Sequence, residues 1–227
     1  MTSVRALVAL VACHASVSAF DPPLPANQGQ VGWLFGNTDL KVGEGTLIEL
    51  YGDFQCPNTR DAWLNVIKDL DSWIVSTGQK AAIRYVPFPL PYHFNSYRAS
   101  LSGIVTIDLL AKKGVAQADA FVAVANQVFG PNQDKYQNDA TANLTNGEIY
   151  GDVLFPILAG AGLKTSDKAA FLAGIQSHSP AESQLRASWK YACSHTVSGT
   201  PLYIINGATS EPAASWTLAE WKNLISA

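Results

Sequence analysis

Phe54-Gln55-Cys56-Pro57-Asn58-Thr59-Arg60-Asp61-Ala62-Trp63 is the stretch on which the reading of this chain turns. A single cysteine is followed at once by proline, and the character of the sequence changes there. Upstream, Thr46 to Tyr51 reads as a strand through Leu47, Ile48 and Leu50, and Gly52 to Gln55 reads as a turn. Downstream, Pro57 suits the first position of a helix, where its missing N–H would have had no partner. Trp63, Val66, Ile67, Leu70, Trp73 and Ile74 then recur at three- and four-residue steps, which makes one apolar stripe. Gly78 is the expected stop. Cys56 is thereby placed at the N-terminus of a helix, where free backbone N–H groups and the helix dipole favour an anion. The thiolate is the nucleophilic form of cysteine. Asn58 adds no positive charge to help it, and Asp53 opposes it if the two lie close.

Outward from this junction, Val31 to Phe35 reads as a short first strand. Ala81 to Val86 reads as another, closed by Pro87-Phe88-Pro89-Leu90-Pro91. From Asn95 to about Val197 the pattern is helical almost throughout. A first helix, capped by Asn95 or Ser96, carries Leu101, Ile104, Val105 and Leu109. A second carries Phe121, Val122, Ala125 and Val128. Residues 132 to 146 are polar and read as loop. Further helices are expected over Glu148 to Leu158, Ser166 to Gln176 and Pro180 to His195. The strand signal returns at Pro201 to Ile205 and runs into Asn206-Gly207, a hairpin turn. Trp216 to Ile225 reads as a last helix, with Thr217 and Glu220 forming a capping box. This order predicts an α/β sandwich over residues 20–94 and 197–227 with an inserted helical domain over 95–196.

Residues 1–19 read as a secretory signal peptide: Arg5, an apolar run from Ala6 to Ala12, and Val17-Ser18-Ala19 as a cleavage site. The run is too short to span a bilayer. A Pro-rich lead-in, Phe20-Asp21-Pro22-Pro23-Leu24-Pro25, follows. Removal of the signal takes Cys13 with it and leaves Cys56 and Cys193. One bridge at most is then available, so the core must carry the fold. The 227 residues hold 15 Lys and Arg against 18 Asp and Glu, a net charge of −3, with 15% charged and 48% hydrophobic residues. That balance excludes long disorder and argues against a nucleic-acid partner. Asn143-Leu144-Thr145 fits a glycosylation acceptor in a chain that passes through an ER. His93, His178 and His195 have no metal-ligand spacing and read as surface or capping residues, with His195 the one nearest a cysteine. No metal or bound cofactor is expected. The six tryptophans read as core or stripe residues.

The segment around Cys56 resembles the thioredoxin-fold family, and within it the DsbA-like branch. Cys56-Pro57-Asn58-Thr59 matches that family's Cys-x-x-Cys site. Ser198-Gly199-Thr200-Pro201-Leu202-Tyr203-Ile204-Ile205-Asn206-Gly207 is similar to its cis-proline loop, strand and turn. The helical block lies where this branch carries an inserted domain. Cys56-Pro57, Arg60-Asp61-Ala62-Trp63, Pro87-Phe88-Pro89-Leu90-Pro91-Tyr92-His93 and Lys190-Tyr191-Ala192-Cys193-Ser194 are similar to a group of secreted DsbA-like proteins of plants and protists. The resemblance implies a thioredoxin-like fold with an inserted helical domain, a cis bond before Pro201, and substrate backbone bound by Thr200 and Pro201 beside Pro57. It implies a reactive thiol at Cys56 acting on thiol- or disulfide-containing proteins or peptides.

The departure is Thr59, which stands where the family has its second cysteine. Thr59 cannot resolve a mixed disulfide. Its hydroxyl is expected to hydrogen-bond the Cys56 thiolate instead. Cys193 is the remaining candidate for a resolving thiol. Its helical stripe with Leu185, Trp189 and Ala192 predicts a buried, inert side chain. Three functions stay open: monothiol exchange or isomerase-like activity through Cys56, a non-catalytic peptide- or protein-binding module, and a glutathione-dependent isomerase or transferase with glutathione as co-substrate.

Overall fold

The computed structural model describes residues 31–41, 43–210 and 212–227. The expected signal peptide and Pro-rich lead-in lie outside them. Strand β1 (Trp33–Gly36) is followed by β2 (Thr46–Gly52) and a helix, α1, over 57–77. Strand β3 (Ala81–Pro87) follows. Next come α2 (Ser96–Lys112), α3 (Gln117–Val128), a helix α4 over 146–159, α5 (Lys168–Gly174) and α6 (Pro180–Ser194). Strands β4 (Leu202–Ile205) and β5 (Ala208–Thr209) form the hairpin, and α7 (Leu218–Ser226) closes the chain.

The five strands form one sheet in the order β1-β3-β2-β4-β5. β2 and β3 run parallel, with Glu49 opposite Arg84, and α1 makes their crossover. β1 and β4 flank this pair antiparallel. Alternation along β2 assigns the two faces. Ile48 and Leu50 enter the larger core, which also holds Trp33, Phe35, Phe54, Trp63 and Trp221 and continues through Phe121, Phe129 and Phe171 of the helical block. Sheet and inserted helices therefore share one apolar interior. Glu49 and Tyr51 face the other way. There α6 covers the sheet, and Tyr51, Val86, Phe88, Leu90, Tyr191 and Ala192 form a smaller core.

The helix of the opening segment begins at Pro57 and ends at Gly78, which takes φ +65°. Its middle, Trp63–Ile67, is π-helical, and the fully buried Trp63 donates its indole N–H to Asn126 Oδ1 at 3.0 Å. Thr217 and Glu220 form the expected capping box. One expectation fails. Residues 132–146 are not merely loop: Gln133–Tyr136 and Asp139–Thr141 are short 3₁₀ turns, with Gln133 and Tyr136 fully buried. Gln133 bonds backbone rather than packing, and Tyr136 packs its ring in the large core while its hydroxyl bonds backbone, so the segment carries no apolar period.

At Gly52 the backbone passes against the buried Tyr85 ring. A Cβ there would lie 2.4 Å from Tyr85 Cε2. Gly52→Ala is therefore expected to lower stability in urea titrations by about 1–3 kcal/mol, the cost of overpacking. A neutral outcome would mean that the ring moves aside freely.

Candidate functional site

Cys56 is the N-cap residue of α1, with extended backbone (φ −71°, ψ 124°). Its N–H donates to Asp53 O at 3.0 Å, and its carbonyl accepts from Arg60 N at 3.1 Å. The turn from β2 therefore feeds directly into the helix. The side chain is 4% exposed. Its Sγ lies 3.5 Å from Thr200 O, so the thiol donates to the carbonyl of the residue before Pro201. The Thr200–Pro201 bond is cis. β2 and β4 are hydrogen-bonded neighbours, and this pairing brings position 200 to position 56 across the intervening chain.

Beneath the turn is a fully buried carboxylate, Asp53. Oδ1 accepts Gln55 N at 2.8 Å and the Ser96 hydroxyl. Oδ2 accepts Leu90 N at 3.1 Å and lies 2.7 Å from His93 Nδ1. A carboxylate only accepts, so Nδ1 of His93 carries the proton in this contact. These donors come from the 53–56 turn, the proline-rich run and the start of α2. His93 is thus neither a free surface residue nor a cap. Its pairing with Asp53 is long-range and left no trace in local pattern.

The 3₁₀ turns hold the same loop from above. Gln133 Nε2 donates to Phe54 O (2.9 Å) and Cys56 O (3.1 Å), and the Tyr136 hydroxyl lies 2.8 Å from Phe54 O. Gln137 Nε2 donates to Gln55 O at 3.1 Å. Gln55 in turn accepts Asn95 N at 2.7 Å and donates to Asn138 Oδ1 at 2.9 Å. Burial first, and the Asp53 carboxylate second, push the Tyr85 and Tyr136 phenols well above the usual tyrosine range, so both stay protonated beside this network.

Other expected site residues fall differently. Thr59 is buried, but its hydroxyl accepts Asp53 N at 3.4 Å rather than bonding the Cys56 sulfur. The side chain in the family's second cysteine position here braces the turn. Cys193 is exposed, not buried. The buried face of α6 runs through Ala181, Leu185, Ser188, Tyr191 and Ala192, and Cys193 and Trp189 lie off it. Cys56 and Cys193 are both free, so no bridge joins them in this structure. The His195 ring lies against Tyr191, centroids 4.3 Å apart and planes tilted by 45°, and its Nδ1 lies 2.9 Å from Tyr191 O. His178 takes φ +65° and its N–H bonds Glu182. Trp33, Trp63 and Trp221 are core residues, whereas Trp189 is 46% exposed. Asn143 is exposed. Among the described residues no cluster of His, Cys, Asp or Glu could hold a metal, and no helix is long and apolar enough to cross a membrane.

Beside the cysteine lies a cleft of about 650 Å³ between α1 and the Thr200 loop. Asn58, Ala62 and Val66 form one wall, and Thr200, Pro201 and Trp216 form the other.

No family model and no curated protein matches this sequence. Solved structures do match the fold. The chain superimposes on the Wolbachia pipientis protein alpha-DsbA1 with a TM-score of 0.63 at 19% identity, over 90% of this chain and 91% of that one. A thioredoxin-like oxidoreductase from Silicibacter pomeroyi gives 0.55 at 15% identity, over 88% and 96%. The MdbA protein of Corynebacterium diphtheriae, a thiol-disulfide oxidoreductase, gives 0.56 at 11% identity, over 82% and 88%. The fold is a thioredoxin-like fold of the DsbA type, as the resemblance around Cys56 and Pro201 implied.

Two outcomes follow from this geometry. Asp53→Ala strands the partners of both carboxylate oxygens and is expected to cost about 3–5 kcal/mol in urea titrations. His93→Ala removes one of those donors and is expected to cost less, about 1.5–3 kcal/mol; equal losses would mean that Asp53 is not the shared anchor. Desolvation pushes the Cys193 thiol above its ordinary value. Near neutral pH it should therefore alkylate more slowly than an unstructured peptide cysteine, and a Cys56–Cys193 linked peptide in unreduced protein would contradict the structure.

Proposed function

We propose that this chain is a secreted thiol-disulfide exchange protein of the DsbA-like type that works as a monothiol through Cys56. The observation that carries the reading is the cysteine's position: a thiol at a helix N-terminus, held against Thr200 O beside a cleft walled by Pro201. The signal-peptide pattern of residues 1–19 supports secretion. The narrower kinship with secreted plant and protist proteins rests on the motifs around Cys56, Pro91 and Cys193.

In the proposed step the Cys56 thiolate attacks one sulfur of a substrate disulfide. A Cys56–substrate disulfide forms, and the other substrate sulfur leaves as a thiolate. Thr59 offers no second thiol, so the reverse attack must come from outside: from another thiol of the substrate, which gives isomerisation, or from glutathione, which regenerates Cys56 and leaves glutathionylated substrate. The Thr200–Pro201 segment would present backbone to an extended peptide, and Pro57 and Asn58 would line its path.

A second reading, a peptide-binding module without chemistry, is favoured by one observation: Cys56 is 4% exposed. The two readings separate in one experiment on the purified protein with a peptide–glutathione mixed disulfide as substrate. Cys56→Ser is expected to abolish exchange, and Cys193→Ser to leave it unchanged. Exchange that survives Cys56→Ser would overturn the first reading, and peptide binding without any exchange in the parent protein would select the second. Thr59→Cys restores the two-cysteine spacing and is expected to form a disulfide with Cys56, seen as a linked peptide that reductant removes.

A further inference from the structure

Between α6, the proline-rich run and the start of α2 lies a second cleft of about 600 Å³, with Leu90 of the smaller core and Leu185 of the larger core in its lining. That is within the roughly 300–1,000 Å³ of small-ligand sites. We propose that this cavity binds a small amphipathic organic anion, an aromatic or aliphatic body bearing a carboxylate or similar group. The juxtaposition that carries the proposal is an apolar cleft between Pro89–Pro91 and Trp189 whose charged lining residues, Arg98, Arg186 and Lys190, are all cationic.

The walls supply the apolar half. Leu90 and Leu185 form the floor, and Phe94, Tyr97 and Trp189 stand at the mouth, 67%, 39% and 46% exposed. Trp189 is held flat by stacking on Phe88, with ring centroids 6.4 Å apart and planes 9° from parallel. A ring fixed in this way is a ready surface for an apolar body. Exposed large aromatics grouped around a concavity are unusual on a surface that meets only water.

The rim supplies the charge. The chain as a whole is net acidic at −3, yet among the described residues no carboxylate lines this cavity. Glu182 does not line the cavity; its carboxylate accepts the Tyr97 hydroxyl at 3.2 Å and the backbone N–H of His178 and keeps its charge, so the three cations of the lining outnumber it. Arg98 is fixed by Asn146 Oδ1, which is neutral, so its charge is positioned but not cancelled there. Among the described residues no carboxylate forms an ion pair with Arg98 or Arg186. Fixed guanidinium groups favour carboxylates and related anions. His93 also lines the cavity while its Nδ1 contacts the buried Asp53. A ligand here would thus touch the anchor of the Cys56 turn without entering the cleft beside the cysteine.

The test is calorimetric titration of the protein with 4-phenylbutyrate and, in parallel, with neutral 4-phenylbutyramide. The carboxylate is expected to bind, the amide to bind about tenfold more weakly or worse, and added salt to weaken the carboxylate. Trp189→Ala and Arg186→Glu are each expected to abolish binding. Trp216→Ala, in the cleft near Cys56, and Cys56→Ser are expected to leave it intact, which separates this proposal from the thiol chemistry. Equal binding of acid and amide would overturn it, as would loss of binding on Trp216→Ala alone.

Discussion

The buried Asp53 carboxylate is the constraint on which the site depends. A carboxylate taken out of water must be met by donors, and here they come from three separate segments: the turn before Cys56, the run through Leu90 and His93, and Ser96 at the start of α2. Each donor fixes a backbone or side chain that would otherwise be free to move. The turn that presents Cys56 therefore inherits its shape from an electrostatic requirement one layer below it. The 3₁₀ turns add a second set of bonds to the Phe54, Gln55 and Cys56 carbonyls. Between them they leave the thiol in one position, against Thr200 O.

Thr59 acquires a different meaning in this setting. Where the DsbA-like pattern has a cysteine, the hydroxyl accepts Asp53 N and closes the turn from the helix side. A hydroxyl at this position offers no second thiol beside Cys56 and instead holds the turn. The opposite face of the sheet has a buried ion of its own. Arg84 Nη1 lies 3.3 Å from Glu49 Oε1, and the Tyr191 hydroxyl donates to that oxygen at 3.0 Å. This pair ties α6 to the sheet centre and positions the neighbouring cavity and Trp189.

The strands, the helix after Pro57 and the α/β layering with a helical insert were legible in the chain, because they follow from local periodicity and from turn and cap residues whose effect spans only a few positions; the DsbA type came from the resemblance around Cys56 and Pro201. The Thr217–Glu220 box and the Gly78 stop are of this kind. The expectation of a cis bond at Thr200–Pro201 is of another kind, since it rested on the resemblance and not on local pattern. What surrounds the cysteine depends on contacts between segments far apart in the chain. Asp53 and His93 are 40 positions apart, and Gln55 and Tyr136 are 81 apart. Polar side chains that bond distant backbone have no period to read, so residues 132–146 looked like loop. Cys193 failed for a related reason. The stripe of α6 is defined by what packs on it, and a shift of one residue, 100° around a helix, moves a side chain from core to solvent.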